Sequence, residues 1–258
     1  MIIITLLILT ILVVVHEFGH YIIAKKFGVY IIEFAIGMGP KIFSRKGKET
    51  TFSIRAFPIG GFCRLLGEEE GNQEILKEYS VPDNLDDSRF YINKRKGEKI
   101  LILVAGATMN FIFAFFLMFL VYIFKGIGFP AVLEKSLSSI GSFCIVIIQS
   151  FQMLFAGKLT LNDFAGPIGM VDMVGDFFQY GLLTLVVFIA LISVNLGILN
   201  LLPFPALDGG QIFIVIVELI IQKELSPEKL GIINTIGFVV LLLLAVVIAV
   251  NDVFRLIQ

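Results

Sequence analysis

Val13-Val14-Val15-His16-Glu17-Phe18-Gly19-His20 lies inside an apolar segment from Met1 to Ala24 and holds both histidines of the 258-residue chain. Residues four apart share one face of a helix, so both imidazoles can reach a single metal ion. Glu17 lies beside that face, where its carboxylate can reach a water molecule at the metal without being a ligand. Ionisable groups at membrane depth are costly and therefore indicate a function. The pattern predicts a zinc site, although H-E-x-x-H also arises by chance in ordinary helices.

The composition predicts an α-helical integral membrane protein, because 57% of the residues are hydrophobic and the mean hydropathy is +0.95. About four transmembrane helices are expected, at residues 1–24, 100–124, 177–202 and 232–250, each long enough for a hydrocarbon core of about 30 Å. The first segment lacks a basic start and a cleavage site, so we predict a retained span. A net charge of −1 gives no indication of a nucleic-acid partner. Cys63 and Cys144 are expected to be structural thiols.

Lysine and arginine are concentrated in one loop. Of the 20 in the chain, 14 lie between Lys25 and Lys99, whereas the segment from Lys125 to Phe177 contains three. The positive-inside rule therefore predicts that residues 25–99 are cytoplasmic and that both termini are extracytoplasmic. The first and third spans then run inward, and the second and fourth run outward.

The extracytoplasmic connector, residues 125–176, contains an uncharged segment, Ser136–Gly157, that has two interpretations. It is apolar enough to be a span. However, Ser138, Ser142, Gln149 and Gln152 fall within a narrow arc of a helix, which favours an amphipathic helix at the membrane surface. An additional crossing here would also place the third metal ligand proposed below on the wrong side of the membrane.

Two histidines leave a tetrahedral zinc short of a third protein ligand, and a carboxylate is the natural candidate. Asp208 stands in the stretch Asn200-Leu201-Leu202-Pro203-Phe204-Pro205-Ala206-Leu207-Asp208-Gly209-Gly210. Its two prolines require the backbone to unwind, and irregular backbone at membrane depth must be covered by protein or line a cavity. The alternative is an ordinary turn in which Asp208 caps the next helix. Depth favours a ligand, because the histidines and Asp208 both lie toward the cytoplasmic ends of inward-running spans.

Together the two motifs resemble the site-2 protease family of intramembrane zinc metalloproteases, and the bacterial RseP-type branch most closely. The resemblance also covers Asp87–Asn110 and Gly166–Gly169, so we expect one protease domain over residues 1–258. It implies one zinc held by His16, His20 and Asp208, with Glu17 as the general base. It also implies that three residues near the third span help to hold the substrate: Asn200, Pro203 and, more weakly, Asn195.

One departure from the RseP-type pattern is clear. Those proteins carry PDZ domains between the second and third spans, whereas the segment from Lys125 to Gly166 is too short for one. By resemblance, the expected substrates are transmembrane proteins with a single span, such as anti-sigma factors or signal-peptide remnants. An upstream site-1-type protease is a further expected partner. The expected location is the bacterial cytoplasmic membrane, in contact with its lipids.

The cytoplasmic loop is expected to form a small membrane-associated β-sheet or hairpin. Thr50–Arg55 alternates with period two, Gly37–Pro40 predicts a bend, and Phe57–Phe62 predicts a turn with glycine. Such a sheet either only covers the cytoplasmic face or offers a strand edge to an extended substrate by β-addition. The β-hairpin of the family is assigned the second role. The candidate substrate-binding residues here are Phe57, Pro58, Ile59, Gly60 and Gly61.

Three charged runs are expected to be solvated: Glu68–Glu70, Asp83–Asp87 and Lys94–Lys96. The basic run is predicted to lie at anionic lipid headgroups. Two other functions remain as alternatives. A membrane metal transporter would usually spread its ligands along a path and show internal repeats, and neither feature is found. An inactive scaffold would not need Glu17 together with three ligands.

Overall fold

The computed structural model describes residues 1–68, 73–82, 84–158, 160, 163 and 165–257, so Glu69, Glu70 and Asp83 of the predicted charged runs lie outside the described residues. This part of the chain is mostly helical and contains two long strands. The elements in chain order are α1 Ile2–Lys26, β1 Ile31–Lys46, β2 Thr51–Leu65, α2 Gln73–Glu78, α3 Lys96–Phe124, α4 Phe129–Phe155, α5 Pro167–Gln179, α6 Leu182–Asn200, α7 Asp208–Ile221 and α8 Pro227–Ile257. The predicted fold class, a helical membrane protein with a small sheet, is confirmed.

Five of the described helices are long and apolar enough to span a membrane, namely α1, α3, α4, α6 and α8. Four of them, α1, α3, α6 and α8, correspond to the predicted spans. The predicted start of the third span at Phe177 is wrong, because Phe177 belongs to α5 and α6 begins at Leu182. Gly181, with φ of +108°, separates the two helices in a conformation that residues with a side chain rarely adopt.

The helices α1, α3 and α6 form the centre of the structure. Gly19 of α1 packs so closely on α3 that an added Cβ would lie 2.2 Å from the carbonyl oxygen of Ala105. Small residues permit this approach where lipid supplies no hydrophobic force between helices. Ile8 of α1 clusters with Leu185 of α6, whereas Asn200 at the far end of α6 lies near His16. The helices α1 and α6 therefore run in the same direction, as expected for the first and third spans.

The helix α4 is longer than the predicted amphipathic segment, because it begins at Phe129 and ends at Phe155. One of its faces, which includes Ile147, packs against Met118 of α3 and Val194 of α6. The hydroxyl groups of Tyr122 in α3 and Ser139 in α4 lie 2.8 Å apart. Its length and composition suit a span, and its placement at the membrane surface stays a prediction.

Each of the two strands bends back within the sheet, so that the sheet consists of four paired strand segments, which we call strips. The first part of β1, residues 31–36, pairs antiparallel with residues 61–65 of β2 along one edge. Along its other edge it lies beside residues 51–54, which pair in turn with residues 43–46. The strips formed by residues 41–46 and 61–65 are therefore the outer edges of the sheet.

The predicted bend at Gly37–Pro40 and the predicted turn at Phe57–Phe62 lie within β1 and β2. The predicted turn at Phe57–Phe62 is present, because residues 51–54 run in the same direction as residues 31–36 whereas residues 61–65 run antiparallel to them. A further reversal, between β1 and β2, lies at residues 47–50, where the N–H of Gly47 donates to the carbonyl of Thr50 over 2.8 Å. Gly37, Gly39 and Gly60 have φ between +79° and +86°, and the register shifts near them. Glycine therefore bends the strands here without ending them.

Glu33 connects the strips of the sheet from the inside. Its side chain is fully buried and accepts hydrogen bonds from Ser53, Arg55 and Tyr79. Arg55 also donates to the carbonyl of Gly39 over 2.7 Å. Burial raises the pKa of Glu33, but the hydrogen bonds from Ser53, Tyr79 and Arg55 outweigh it and hold this pKa below its ordinary value of 4.5.

The lowered pKa of Glu33 predicts how the stability of the sheet depends on pH. The ionised carboxylate stabilises the folded state above pH 4.5, and this contribution is lost as the pH falls through the lower pKa of the folded state. At neutral pH, Glu33→Ala should lower stability by about 3 kcal/mol, because the largely buried guanidinium of Arg55, 15% exposed, loses its carboxylate partner. Hydrogen exchange of the strand amides as a function of pH measures the effect. The exposed Glu134 provides the control Glu134→Ala, and the same acid dependence in wild type and Glu33→Ala would contradict the assignment.

Candidate metal centre

Three side chains from two distant parts of the chain meet at one point. The Nε2 atoms of His16 and His20 lie 3.1 Å apart, and they lie 3.0 and 3.3 Å from Oδ2 of Asp208. Within the described residues, these three form the one group of histidine, cysteine and acidic side chains placed to hold a metal, with all ligand atoms within 4.8 Å. The geometry therefore brings together the three ligands that the sequence predicts.

The hydrogen bond of His20 fixes which of its ring nitrogens is free. Its Nδ1 lies 2.8 Å from the carbonyl oxygen of Ile102, and a carbonyl can only accept, so Nδ1 carries the proton. In the neutral ring, as a metal ligand must be, the lone pair of Nε2 then points at His16 and Asp208. Nδ1 of His16 faces the side-chain amides of Asn110 at 3.3 Å and Asn200 at 3.4 Å. Either amide, turned to offer its oxygen, fixes His16 in the same tautomer.

The donor set fits zinc. With both rings in this tautomer, three electron-rich atoms face one another in a buried position, and Oδ2 of Asp208 has no hydrogen-bond partner. Unpaired acceptors at such distances repel each other, and a cation between them removes the repulsion. Two imidazole nitrogens, one carboxylate oxygen and an open fourth position match a catalytic zinc site.

The loop before α7 carries Asp208 into position. The helix α6 ends at Asn200 and α7 begins at Asp208, so the predicted unwinding around the prolines is confirmed. A Cβ on Gly209 would lie 2.3 Å from the carbonyl oxygen of Leu201, and one on Gly210 would lie 2.1 Å from that of Phe204. The two glycines thus let the loop fold directly over the first turn of α7.

Glu17 lies between the histidine pair and the edge of the sheet. Its Oε2 accepts a hydrogen bond of 3.0 Å from the backbone N–H of Cys63 in β2. Further along, Thr10 of α1 donates to the carbonyl of Pro58. The strip of β2 from Pro58 to Cys63 therefore follows α1 from Thr10 to Glu17.

The other predicted substrate-binding residues occupy different positions. Asn200 faces His16, whereas Pro203 is exposed in the loop before α7. Asn195 is half-buried in α6 and, among the described contacts, makes no hydrogen bond to the histidines. Along β2, Phe57, Pro58 and Ile59 are exposed, Gly60 is half-buried and Gly61 is buried.

Gly106 of α3 is a site residue that the sequence motifs alone do not identify. A Cβ at this position would lie 2.4 Å from Nε2 of His20 and 2.7 Å from Nε2 of His16. These are the nitrogens of the predicted ligands, so the absence of a side chain at Gly106 leaves the space between them open. The resemblance included the segment up to Asn110, but only the packing of α3 on α1 gives Gly106 this role.

Gly106→Ala is expected to abolish zinc binding, because its methyl group would occupy the position between the two Nε2 atoms. Elemental analysis of purified protein after zinc resupply measures this. Gly97→Ala is the matched control, since Gly97 lies on the same helix with open space around its Cα. Full zinc content in monodisperse Gly106→Ala would show that the metal does not bind at this point.

The comparisons with known proteins agree with this geometry. The model of peptidase family M50 matches residues 4–244. A protein of Clostridium perfringens whose name places it among the zinc metalloproteases is 30% identical over 98% of this chain and 98% of its own length. The regulator of sigma-W protease RasP of Bacillus subtilis is 24% identical over 95% of this chain and 96% of its own length.

The alignment with the Clostridium relative runs over 341 residues, more than the 258 of this chain. That relative therefore contains internal sequence that is missing here, in agreement with the predicted absence of a PDZ domain. The family and the names of the relatives establish a bacterial membrane protein with a zinc cofactor. The chain belongs to peptidase family M50, the site-2 proteases, and is a zinc metalloprotease of the RseP type without its PDZ domains.

Proposed function

We propose that this protease hydrolyses peptide bonds within or near the transmembrane segments of single-span membrane proteins, with His16, His20 and Asp208 as zinc ligands. The observation that carries the proposal is the position of Glu17. It lies next to the histidine pair on α1, and its carboxylate contacts the edge of β2. A peptide held along that edge would pass directly in front of the metal and of the general base.

The chemistry divides between the metal and Glu17. When bound, zinc acidifies a water molecule and polarises the scissile carbonyl. Glu17 accepts the proton of the attacking water and delivers it to the amine that leaves. The hydrogen bond from Cys63 orients the carboxylate toward the substrate edge. Asn200, held near His16, donates a hydrogen bond to the substrate backbone or to the developing oxyanion.

The strand edge supplies the means of presenting a helical substrate. A peptide bond in a helix is shielded by its own hydrogen bonds, so the segment must be extended before attack. The strip of β2 around Gly61 and Cys63 is an outer edge of the sheet, and the N–H of Cys63 points away from β1 toward the metal centre. We infer that substrate joins this edge by β-addition. Phe57 and Ile59, both 57% exposed, offer side-chain contacts beside Pro58 and Gly60, and Pro203 and Asn195 are further candidates.

The orientation of the helices supports a specific topology. The helix α6 runs parallel to α1 and antiparallel to α3, so α4 and α5 connect two ends on the same side of the bundle. The connector therefore makes no net crossing, which is the condition for the two zinc-binding segments to meet. With the lysine-rich loop in the cytoplasm, both termini of this multi-pass chain lie on the extracytoplasmic side of the membrane.

The relatives suggest the substrate class. The Bacillus relative is named as a regulator of sigma-W. Main-chain pairing at the proposed edge would select substrate helices that unwind easily, and it would depend little on particular side chains. We propose membrane-tethered anti-sigma factors or signal-peptide remnants as substrates, after trimming by an upstream site-1-type protease. In this proposal, residues 1–258 form one protease domain, in which the cytoplasmic loop 25–99 and the extracytoplasmic connector 125–176 support the active site between the spans.

Two substitutions separate the metal from the base. Glu17→Gln should retain zinc but lose at least about 100-fold in cleavage, because the general base is removed. Asp208→Ala should lose zinc and activity together. Zinc content and cleavage of a single-span model substrate are measured on the same preparations. Substantial cleavage by Glu17→Gln would refute its role, and full zinc occupancy in Asp208→Ala would refute the ligand assignment.

Disulfide cross-linking tests the strand edge. Ile59→Cys, in a zinc-loaded Glu17→Gln chain whose native cysteines are replaced by serine, is challenged with substrates carrying single cysteines at successive positions. We expect cross-links at every second position, since strand side chains alternate. Ile42→Cys is the control, being exposed on the opposite outer strip. Cross-links at intervals of three and four positions would mean that the substrate binds as a helix.

A further inference from the structure

An ion pair connects the first turn of α3 with the last part of α7. The ammonium group of Lys96 donates to Oε2 of Glu218, and the two residues are 122 positions apart in the sequence. Oε1 of Glu218 accepts a second hydrogen bond, of 3.0 Å, from the backbone N–H of Leu225 just after α7. Lys96 also lies 3.0 Å from a carboxylate oxygen of Glu224, which is largely exposed.

This pair differs from an ordinary surface salt bridge. Glu218 is 8% exposed, and the side chain of Lys96 is 20% exposed. Both oxygens of Glu218 are hydrogen-bonded, which is the condition under which a buried charge is tolerated. Lys96 belongs to the basic run expected at lipid headgroups, and that expectation is wrong for its ammonium group, which faces α7. Lys94 of the same run also turns inward and donates to the carbonyl of Phe27 at the end of α1.

Beyond the close contacts of Gly209 and Gly210 with the preceding loop, few contacts fix the position of α7. Among the described residues, α3 is the one helix with which α7 packs extensively. Apart from Gly209 and Gly210, its buried residues are Val215 and Glu218. The remaining face is exposed and apolar, including Phe213 and Ile220, and lipid contacts provide no force that sets the rotation of a helix.

Asp208 is the first residue of this helix and lies ten residues before Glu218, or about 15 Å along the axis. A rotation or sliding of α7 on α3 would therefore move the carboxylate relative to His16 and His20. Zinc tolerates deviations of only about 0.2 Å in its ligand distances. The position of α7 is thus a condition for the third ligand to be in place.

We propose that Lys96 and Glu218 are positioning residues that set the rotation and height of α7 and thereby hold Asp208 at the metal. Lys94, two residues before α3, donates to the carbonyl of Phe27 just after α1, so the ends of both ligand-bearing helices are bound close to the start of α3. This inference rests on the proposed zinc ligands. It adds an ion pair, remote from the metal, on which zinc affinity depends.

The test is a charge exchange in the full-length chain, in detergent or nanodiscs, with zinc affinity measured by chelator competition. Lys96→Glu places a third acidic group beside Glu218 and Glu224, and zinc affinity should fall by about tenfold or more, as for other supporting residues of metal sites. Lys96→Glu combined with Glu218→Lys restores an opposite-charge pair and should recover most of the affinity. Glu218→Gln, which keeps the shape of the side chain, should give an intermediate loss.

Lys223→Glu is the matched control, since Lys223 is exposed, lies just after α7 and makes none of the described ion pairs. Thermal midpoints of the zinc-free chains show whether a variant is merely unstable. Unchanged zinc affinity in Lys96→Glu, or a loss that the exchanged pair fails to recover, would overturn the inference. Wild-type protein without zinc would instead refute the proposed ligand set, so the two failures are distinguishable.

Discussion

Mutual repulsion of three buried acceptor atoms is the constraint on which the rest of the structure depends. Two imidazole nitrogens and one carboxylate oxygen lie within about 3 Å of one another, and the hydrogen bond between His20 and Ile102 keeps the lone pair of one ring directed at the others. A cation between these atoms removes the repulsion between the neutral rings and the carboxylate. Much of the surrounding structure brings Asp208, which is distant in the sequence, to the histidines of α1.

Glycine residues, which allow backbones to pack closely, help at several places to bring these three side chains together. Gly19 brings α3 against α1, Gly106 leaves the space between the imidazoles, and Gly209 with Gly210 lets the loop fold over α7. Each of these glycines would clash with a ligand or a backbone carbonyl if it carried a methyl group. In lipid, where apolar surface alone does not drive helices together, such contacts and a few buried polar pairs determine the arrangement.

The local part of this arrangement is readable in the sequence. His16, Glu17 and His20 follow from helical spacing, and Asp208 from an unwound proline-rich stretch at matching depth. The sequence predicted the sheet and its glycine-containing turn at Phe57–Phe62, but not the second reversal at residues 47–50 or the order of the four strips, because these depend on pairing between separate segments. Gly106 and the pair of Lys96 with Glu218 could not be found in this way, since their roles arise from contacts between helices far apart in the chain.

The central claim is that two nitrogens and one carboxylate oxygen hold the zinc beside a strand edge. X-ray absorption spectroscopy at the zinc edge tests it most directly, because it reports the type and distance of the ligand atoms. The account predicts a four-coordinate site with nitrogen and oxygen neighbours at about 2.0–2.1 Å and a histidine scattering pattern that requires two imidazoles. A sulfur neighbour at about 2.3 Å would point to Cys63 and contradict the ligand set.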